Sequence, residues 1–376
     1  MTAIRVLQMF TVLNRGGAET MIMNYYRNID RAKVQFDFLV HRQERGAYED
    51  EIEKLGGRIY RMLPVYPRYF TAYQKEIAQF LDKHKEYKIL HGNFSELGYF
   101  IYREAFRQGV PTIICHAHNS KMSWDLKAPF RLYWKHACRD YITHMFSCSQ
   151  AASAWFFGRE NVQKAIIMNN AIETAKFSYD RQRSGALKVK FGWADKFVVG
   201  HVGRFNVQKN HRFLIDVFRS IRDRCSNAVL VLVGEGELEP EIAKKIQTLG
   251  LQDSVQFMGS RGDVNEILQA FDVFVFPSLF EGLPVTLVEA QAAGLKCLIS
   301  DTIPAEGRIT DLVEVIPLDQ NAGYWAGQTL RYKDGYNRRN MYADIVASGY
   351  DIAANAKWLE NFYLTESYNR HVRLQS

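Results

Sequence analysis

Short apolar segments alternate with amphipathic ones along most of the chain. The apolar segments are four to seven residues long and rich in Val, Ile and Phe, and most are followed by apolar residues spaced three or four positions apart. Nearly continuous apolar runs are typical of parallel strands covered on both faces, and the wider spacing is typical of the helices that cover them. Because the alternation occurs in both halves of the chain, it predicts an α/β protein with two doubly wound, Rossmann-like domains.

The predicted strands divide between the two halves. In the first half they are Ile4–Phe10, Val34–Val40, Arg58–Met62, Ile89–Asn93, Thr112–Cys115, His144–Cys148 and Ala165–Met168. In the second half they are Phe197–Val202, Ala228–Val233, Val255–Met258, Val273–Phe276 and Lys296–Ile299. The predicted helices include Ala18–Asn28, Tyr73–His84, His211–Arg222, Glu239–Leu249, Val264–Ala270 and Thr286–Ala293.

The boundary between the domains is expected in the polar stretch Asn169–Gly192, which shows no clear period. Strand signals stop near residue 320, and the residues beyond it predict two or three helices. A length of 376 residues suits two domains that each bury a core. Open α/β sheets bind ligands at the carboxyl ends of their strands, so we expect the chemistry on strand-to-helix loops that face a cleft between the domains.

The formal net charge of +7 is carried by the first part of the chain. Residues 1–175 hold 24 basic and 17 acidic side chains, whereas the rest of the chain is balanced. A basic surface attracts acidic lipid headgroups, nucleic acid or phosphorylated substrates, although a mild excess of this size is also compatible with ordinary solvated surface. No Lys/Arg block or zinc-finger spacing accompanies the charge, so nucleic acid is not an expected partner.

The five cysteines are scattered and form no C-x-x-C pair, which argues against a disulfide framework or a structural metal site and favours a reducing compartment. The apolar segment at the start is too short for a signal peptide, and no window approaches the roughly 18 apolar residues of a membrane span. We therefore expect a cytoplasmic location, with attachment to a membrane surface left open.

One loop of the second half places two cations ahead of a helix. Arg204 and Lys209 lie in "GRFNVQKN", between a predicted strand and the helix that starts at His211. Positive charge is unfavourable at a helix N-terminus, and the mismatch is resolved if an anion binds between the two side chains. A bidentate Arg and a point-charge Lys suit a pyrophosphate. The alternative is a pair of solvated cations.

A second loop, "FEGLPVTLVEAQAAG", carries two carboxylates at the start of a helix. Glu281 precedes the turn and Glu289 lies in the helix, and both can accept hydrogen bonds from sugar hydroxyls. Free amides at the start of the helix, including that of Leu287, are expected to point at a phosphate. The turn and the helix start comprise Gly282, Leu283, Pro284, Val285 and Thr286. The alternative is that Glu281 caps the helix and Glu289 is a surface acid.

Two loops of the first half are weaker candidates. Gly16 and Gly17 in "NRGGAET" allow a close backbone approach to a ligand, or form a tight turn, and lack the spacing of a dinucleotide fingerprint. His116 and His118 in "HAHN" follow a predicted strand. A histidine there can donate to a substrate oxygen or relay protons, or it is an exposed loop residue; a metal pair lacks a recognisable third ligand. The loop "VGEGELEPE" suits a flat ring or a plain turn.

Taken together, the Glu-x7-Glu block, the Arg/Lys loop, the glycine loop and the histidine loop resemble the retaining glycosyltransferases of family 4, which have the GT-B fold. The sequence is similar to the bacterial capsule and exopolysaccharide transferases of that family. The resemblance implies an N-terminal acceptor domain over 1–176, a nucleotide-sugar domain over 177–355, and a C-terminal helix over 356–376 that crosses back to the N-terminal domain.

The resemblance also implies roles for these residues. Arg204, Lys209 and the amides that follow Pro284 hold the donor diphosphate, Glu281 lies near the donor sugar, and Glu289 binds the ribose. Gly16 and Gly17 approach the phosphate or the acceptor. One of His116 and His118 faces the transferred sugar, and the spacing does not decide which. The short "EGLP" departs from the longer form of this motif and leaves the donor sugar open.

The expected chemistry needs no metal or other cofactor. The chain contains no D-x-D, so the usual carboxylate pair for a metal-bound nucleotide sugar is missing, and the cations would neutralise the leaving diphosphate instead. No carboxylate nucleophile is evident, which favours a front-face reaction with retention at the anomeric carbon over double displacement. The expected donor is a UDP-sugar. The expected acceptor is a saccharide on a lipid, at an anionic membrane surface. Met21–Asn28 and Lys121–Arg139 offer mixed basic and aromatic surface for it, or they are ordinary amphipathic helix.

Three other functions fit parts of the pattern. A nucleotide-sugar epimerase on the same fold would use similar residues without an acceptor. A nicotinamide-dependent oxidoreductase is disfavoured by the missing fingerprint. A non-catalytic sugar-binding or lipid-binding module would show no turnover at all.

Overall fold

The computed structural model describes residues 3–119 and 128–373. They divide into two compact units: the N-terminal unit comprises Met1–Ala171 together with Ile352–Ser376, and the C-terminal unit comprises Ile172–Asp351. Each unit is built on one parallel sheet with helices on its faces, which confirms the predicted α/β class with two doubly wound domains. The unit boundary at residue 171 lies within the polar stretch Asn169–Gly192.

The N-terminal unit contains seven strands and, before the boundary, six α-helices among its described residues. The strands are β1 Ile4–Phe10, β2 Val34–Val40, β3 Ile59–Arg61, β4 Ile89–Gly92, β5 Thr112–Ala117, β6 His144–Ser147 and β7 Ile166–Ile167. The helices are α1 Gly17–Asn28, α2 Glu49–Lys54, α3 Phe70–Lys83, α4 Tyr99–Arg107, α5 Ala128–Ala137 and α6 Gln150–Phe157. The strand order is β3-β2-β1-β4-β5-β6-β7, and every pair is parallel.

The C-terminal unit has six parallel strands in the order β10-β9-β8-β11-β12-β13. The strands are β8 Phe197–Val202, β9 Ala228–Val233, β10 Val255–Phe257, β11 Val273–Phe276, β12 Lys296–Ser300 and β13 Val313–Ile316. The helices are α7 Thr174–Phe177, α8 Arg181–Lys190, α9 His211–Arg222, α10 Glu239–Thr248, α11 Val264–Ala270, α12 Val285–Ala292, α13 Ala322–Leu330 and α14 Tyr342–Ala347.

The last helix, α15 Ile352–Arg373, packs on the sheet of the N-terminal unit. Its residues Ala356, Leu359 and Tyr363 are completely buried in the same core as residues of β1 and β2. The Tyr363 ring meets the Phe36 ring edge-on, with 5.9 Å between centroids. Apolar residues near the C-terminus thus complete a core that begins at the first strand.

Two local features differ from the sequence interpretation. The edge strand β13 was not predicted, because it is only four residues long and its Glu314 and Val315 are partly exposed, so that no continuous apolar run marks it. The stretch read as having no period contains α8, which begins after Asp180, whose side chain accepts a hydrogen bond from the Arg183 amide at 2.7 Å. The aspartate N-cap was the signal that could have located it.

Candidate functional site

The loops after β8 and β11 lie side by side at the carboxyl edge of the C-terminal sheet. These two strands are neighbours although they are not consecutive in the chain, so the edge between them is the topological switch point of the sheet. Two hydrogen bonds join the loops: the Leu279 amide donates to the Gln208 carbonyl at 2.8 Å, and the Asn210 side chain donates to the Pro277 carbonyl at 3.1 Å. The predicted Arg/Lys loop and the predicted Glu loop therefore form one structure.

Lys209 and Glu281 form a largely buried ion pair in this structure. The lysine Nζ lies 2.7 Å from one oxygen of Glu281, and the two side chains are 14% and 6% exposed. The side-chain amide of Gln208 donates to the other oxygen at 2.9 Å, and the lysine ammonium also lies over the Phe276 ring, 4.5 Å from its centroid. Glu281 does not cap the helix. It holds the ammonium group at the strand ends, where two further N–H donors remain for an anion.

Arg204 lies on the same loop but is far more exposed, at 72% of its side chain. Its guanidinium is 3.5 Å from the Glu237 carboxylate, a contact that contributes little in water because exposed ion pairs are screened. The side chain can therefore leave this partner for a stronger anion at small cost. The structure thus brings Lys209 and Glu281 together, whereas Arg204 lies exposed on the surface of the same loop.

The helix α12 presents part of the expected anion site. Its N-cap is Pro284, and no side chain caps it. Within residues 3–119 and 128–373, the amides of Val285 and Thr286 have no carbonyl partner, whereas the amide of Leu287 donates to the Pro284 carbonyl at 3.0 Å. The inclusion of Leu287 among the free donors was thus wrong, because its amide is already used by a hydrogen bond within the first turn of the helix. Two amides remain free at the positive end of the helix dipole.

Glu289 lies in the second turn of α12. Burial raises the pKa of its carboxyl group from 4.5 to about 7, and no hydrogen-bond partner for it exists in the described part of the chain. The side chain nevertheless keeps some solvent exposure. A carboxyl group that is largely desolvated and has no partner is costly to ionise in the folded state, which is typical of groups that are satisfied by a ligand.

The glycines of the loop after β9 serve packing in this structure. A Cβ on Gly234, whose φ is +136°, would lie 2.2 Å from the Gly203 carbonyl oxygen, and one on Gly236 would lie 2.4 Å from the Phe205 carbonyl oxygen. The backbone of the Arg/Lys loop occupies the faces that side chains would need. These glycines therefore let two backbones touch.

In the N-terminal unit, Gly16 is the N-cap of α1, and no side chain caps that helix. A Cβ on Gly16 would collide with the Glu19 carboxylate, whereas one on Gly17 would meet nothing within 4 Å. The Glu19 carboxylate is the end of a flexible side chain and the Gly16 backbone is extended, with φ of −91°, so neither feature requires a glycine at position 16. Gly17 leaves open space beside the start of the helix, as a close ligand approach would need.

The two histidines of the HAH motif have different surroundings. His116 is fully buried in β5, where its Nδ1 lies 3.1 Å from the Nε2 of His91. His118 lies just beyond the strand and stays partly exposed, with its Nε2 3.0 Å from the Asn93 amide oxygen. Burial lowers the pKa of both, that of His118 to about 4, so both are neutral at physiological pH. Only His118 has an edge that a substrate can reach.

A buried polar network behind these histidines was missed by the sequence interpretation. The hydroxyl of Tyr363 lies 2.6 Å from the Nδ1 of His91 and accepts from the Gln8 amide at 3.3 Å. The Gln8 carbonyl oxygen accepts from the Asn93 amide at 3.0 Å. The signal was polar residues inside otherwise apolar strands, here Gln8 in β1 and His91 in β4. Among the described residues, no group of three His, Cys, Asp or Glu side chains could hold a metal ion.

The two segments expected at a membrane surface differ in their exposure. Of the two interpretations of Met21–Asn28, the structure supports the ordinary amphipathic helix, because its methionines, isoleucine and tyrosines are buried in the core. Of Lys121–Arg139, residues 121–127 lie outside the described residues. In the remainder, Phe130 and Tyr133 of α5 are both 63% exposed. No helix in the described ranges has the length and apolar character needed to span a membrane.

Two family models match the chain. The model described as a glycosyl transferase 4-like domain matches residues 16–165, and the model described as glycosyl transferases group 1 matches residues 196–322. Both therefore cover the loops described above, one in each unit.

Similar proteins extend this match over the whole length. The putative glycosyltransferase EpsF of Bacillus subtilis is 34% identical and aligns over 98% of both chains. An Escherichia coli protein, UDP-Gal:alpha-D-GlcNAc-diphosphoundecaprenol alpha-1,3-galactosyltransferase, is 29% identical over 58% of this chain and 59% of its own. The solved structure of HepE from Anabaena in complex with UDP superposes with a TM-score of 0.72 over 99% of both chains, at 18% identity. The structural likeness confirms the predicted GT-B fold.

Proposed function

The chain belongs to the group 1 glycosyltransferases, and from this premise we propose that it transfers a sugar from a UDP-sugar to a saccharide acceptor carried on a lipid diphosphate, in the synthesis of a cell-surface polysaccharide. UDP is the nucleotide in the solved HepE complex and in the name of the E. coli relative. That relative's name also supplies the acceptor class, a sugar on a diphospho-lipid. The enzymatic activity itself follows from the family.

The observation that carries the donor assignment is the arrangement after β8 and β11. Glu281 holds Lys209 at the strand ends, and two backbone amides without partners lie at the start of α12. Glu289 lies about one turn further along α12 and has no hydrogen-bond partner among the described residues. We assign the diphosphate to Lys209, Arg204 and the amides of Val285 and Thr286. The ribose hydroxyls are assigned to Glu289, and Glu281 keeps Lys209 in place beside the donor sugar.

In the proposed reaction the acceptor hydroxyl attacks the anomeric carbon while the bond to the diphosphate breaks. Negative charge then builds on the diphosphate oxygen, where the Lys209 ammonium and the α12 amides stabilise it without reorganising. The departing phosphate takes the proton of the attacking hydroxyl on the same face, so the anomeric configuration is retained. This chemistry requires no metal ion. His118 is assigned to the transferred sugar, since His116 has no accessible edge.

The acceptor is assigned to the N-terminal unit. Gly17 leaves open space at the start of α1, and the exposed Phe130 and Tyr133 offer aromatic side chains suited to a membrane interface. Arg103 of α4 lies over the ring of Tyr99, which also meets the Tyr133 ring at 6.5 Å between centroids, so a cation borders the same surface. An anionic membrane surface that carries the lipid-linked acceptor fits both features.

Acceptor-dependent release of UDP tests the proposed activity. Purified protein is incubated with a panel of UDP-sugars, with and without undecaprenyl-diphosphate-linked N-acetylglucosamine, in excess EDTA. The expected result is release of UDP only when both substrates are present, with an α-linked product from an α-linked donor by NMR. Release of an isomerised sugar nucleotide without acceptor would indicate an epimerase instead. An inverted product, or full dependence on added Mg²⁺, would contradict the proposed mechanism.

Membrane association is tested separately by flotation with vesicles. We expect binding to vesicles that contain anionic phosphatidylglycerol and a marked loss in a Phe130→Ser/Tyr133→Ser variant. A variant at Tyr342, which is 44% exposed in the C-terminal unit, is the control and is expected to bind like the unaltered protein. Equal flotation of all three, or none with anionic vesicles, would discard this part of the proposal.

A further inference from the structure

Asn93 is anchored in a way that fixes the orientation of its side-chain amide. The Asn93 Nδ2 lies 3.3 Å from the backbone carbonyl of His91 and 3.0 Å from the Gln8 amide oxygen. A carbonyl oxygen can only accept a hydrogen bond, so the atom that faces it must be the NH₂ group. The Asn93 oxygen is thereby directed at His118, and the side chain is 6% exposed.

The same reasoning extends to Gln8 and Tyr363. Because the Gln8 oxygen accepts from Asn93, its NH₂ group is the one that faces the Tyr363 hydroxyl, at 3.3 Å. The tyrosine oxygen accepts there and its proton goes to the Nδ1 of His91, at 2.6 Å. The direction of every hydrogen bond in this network is thus fixed, and it follows from the bond that Asn93 donates to the backbone carbonyl of His91.

We propose that Asn93 is a positioning residue which holds His118 in the Nε2–H tautomer, so that the Nδ1 of His118 meets the substrate as a hydrogen-bond acceptor. The group it recognises is then a sugar hydroxyl, which donates, rather than a phosphate or carboxylate oxygen. This inference deepens the proposed function and rests on the assignment of His118 to the transferred sugar. It also reverses one expectation drawn from the sequence, in which the histidine donates to a substrate oxygen.

The surroundings of His118 support a neutral ring. Among the described residues, the titratable groups near it are His116, whose ring centroid is 4.1 Å away, His91, and Cys148, whose thiol donates to the His118 carbonyl at 3.5 Å. Burial lowers the pKa of His91 and His116 and raises that of Cys148, so none of these is charged at neutral pH. Within the described residues, Nδ1 of His118 has no protein partner, which leaves its lone pair for a ligand.

The tautomer is measured directly by long-range ¹H–¹⁵N NMR on ligand-free protein labelled at its ten histidines. The His118 signal is identified by its absence from the spectrum of a His118→Gln variant. We expect a neutral ring with the proton on Nε2 at pH 7. A ring protonated on Nδ1, or on both nitrogens, overturns the proposal. This measurement needs neither donor nor acceptor, so its outcome is independent of whether the proposed transfer reaction is found.

The kinetic test uses Asn93→Asp and Asn93→Leu. In Asn93→Asp a carboxylate replaces the amide beside His118, which favours the charged ring and raises its pKa. Nδ1 then carries a proton and cannot accept, so turnover should fall as the pH decreases from 8.5 to 5.5, while the unaltered enzyme changes much less. Asn93→Leu should lower kcat by about tenfold at every pH, with little change in the KM for the donor.

Parallel pH profiles for Asn93→Asp and the unaltered enzyme would overturn the proposed acceptor role. The transfer reaction would stand in that case, since the unaltered enzyme still forms product. Conversely, if no transfer is detected with any UDP-sugar, the proposed function fails and the NMR spectrum alone decides the tautomer of His118.

Discussion

Replacing Glu289 with glutamine should make the ligand-free protein more stable at high pH. Burial raises the pKa of this carboxyl group from 4.5 to about 7, so ionising it costs the folded state free energy that the unfolded chain does not lose. The rise corresponds to roughly 3 kcal/mol at 1.4 kcal/mol for each pKa unit. Because the side chain keeps some exposure, we expect about 1–3 kcal/mol at pH 8.

The sign of the effect sets its pH window. Glu289 is protonated in both states below pH 4.5, so the variant and the unaltered protein should then be equally stable. The advantage of Glu289→Gln should grow between pH 4.5 and about 7 and remain constant above it. Urea unfolding followed by circular dichroism at pH 4.5, 6, 7 and 8 measures this. UDP-glucose should stabilise the variant less than the unaltered protein, because glutamine is a weaker acceptor for ribose hydroxyls.

Glu241→Gln provides a control of opposite sign. The Glu241 carboxylate pairs with Arg212 on the surface, which lowers its pKa, so its replacement should lower stability slightly above pH 4.5. A stability difference for Glu289→Gln that does not vary with pH would refute the reasoning, as would an unaltered protein that is the more stable of the two at pH 8.

Two further predictions concern buried groups of each unit. The Arg338 guanidinium caps the C-terminal ends of α11 and α12, where it donates to the carbonyls of Leu268, Gln269, Phe271 and Ala293. Arg338→Met should therefore lower the free energy of unfolding by about 3 kcal/mol or more in urea unfolding. A loss below about 1 kcal/mol would contradict this role. Tyr363→Phe and Tyr73→Phe each remove one hydroxyl that is hydrogen-bonded to a buried histidine, and each should lower the free energy of unfolding by about 1–3 kcal/mol. Only Tyr363→Phe should also lower kcat, since Tyr363 belongs to the network proposed to orient His118 and Tyr73 does not. Equal kcat values for the two variants would contradict that link.

Most of the fold could be predicted from the sequence because its central strands are buried along most or all of their length. β1, β2, β8, β9 and β11 begin and end where the apolar runs do. β13 could not be found in this way, since an edge strand with exposed positions lacks such a run. Loop residues such as Lys209 and Glu281 were predicted to bind the donor. Their ion pair brings together residues 72 positions apart in the chain, and spacing carries no information about such contacts.

The buried polar network of the N-terminal unit could not be predicted from the sequence either. Gln8, His91 and Asn93 stand in or directly after apolar strands, and each looks like an isolated polar residue. Tyr363, which contacts Gln8 and His91, lies in α15, 355 and 272 residues away from them along the chain. Periodicity can place such residues on elements, but only the packing of α15 on β1, β2 and β4 reveals that they bond to one another.

The central claim, that Lys209 and the start of α12 bind the donor diphosphate, is tested most directly by calorimetric titration with UDP. Lys209→Met should weaken binding by about tenfold or more, because a desolvated cation on the diphosphate is lost. Lys188→Met is the matched control, since Lys188 forms a comparable pair with Asp272 at 2.6 Å in the same unit and should bind UDP like the unaltered protein. Equal affinity in all three proteins, or no binding of UDP by any of them, would contradict the claim.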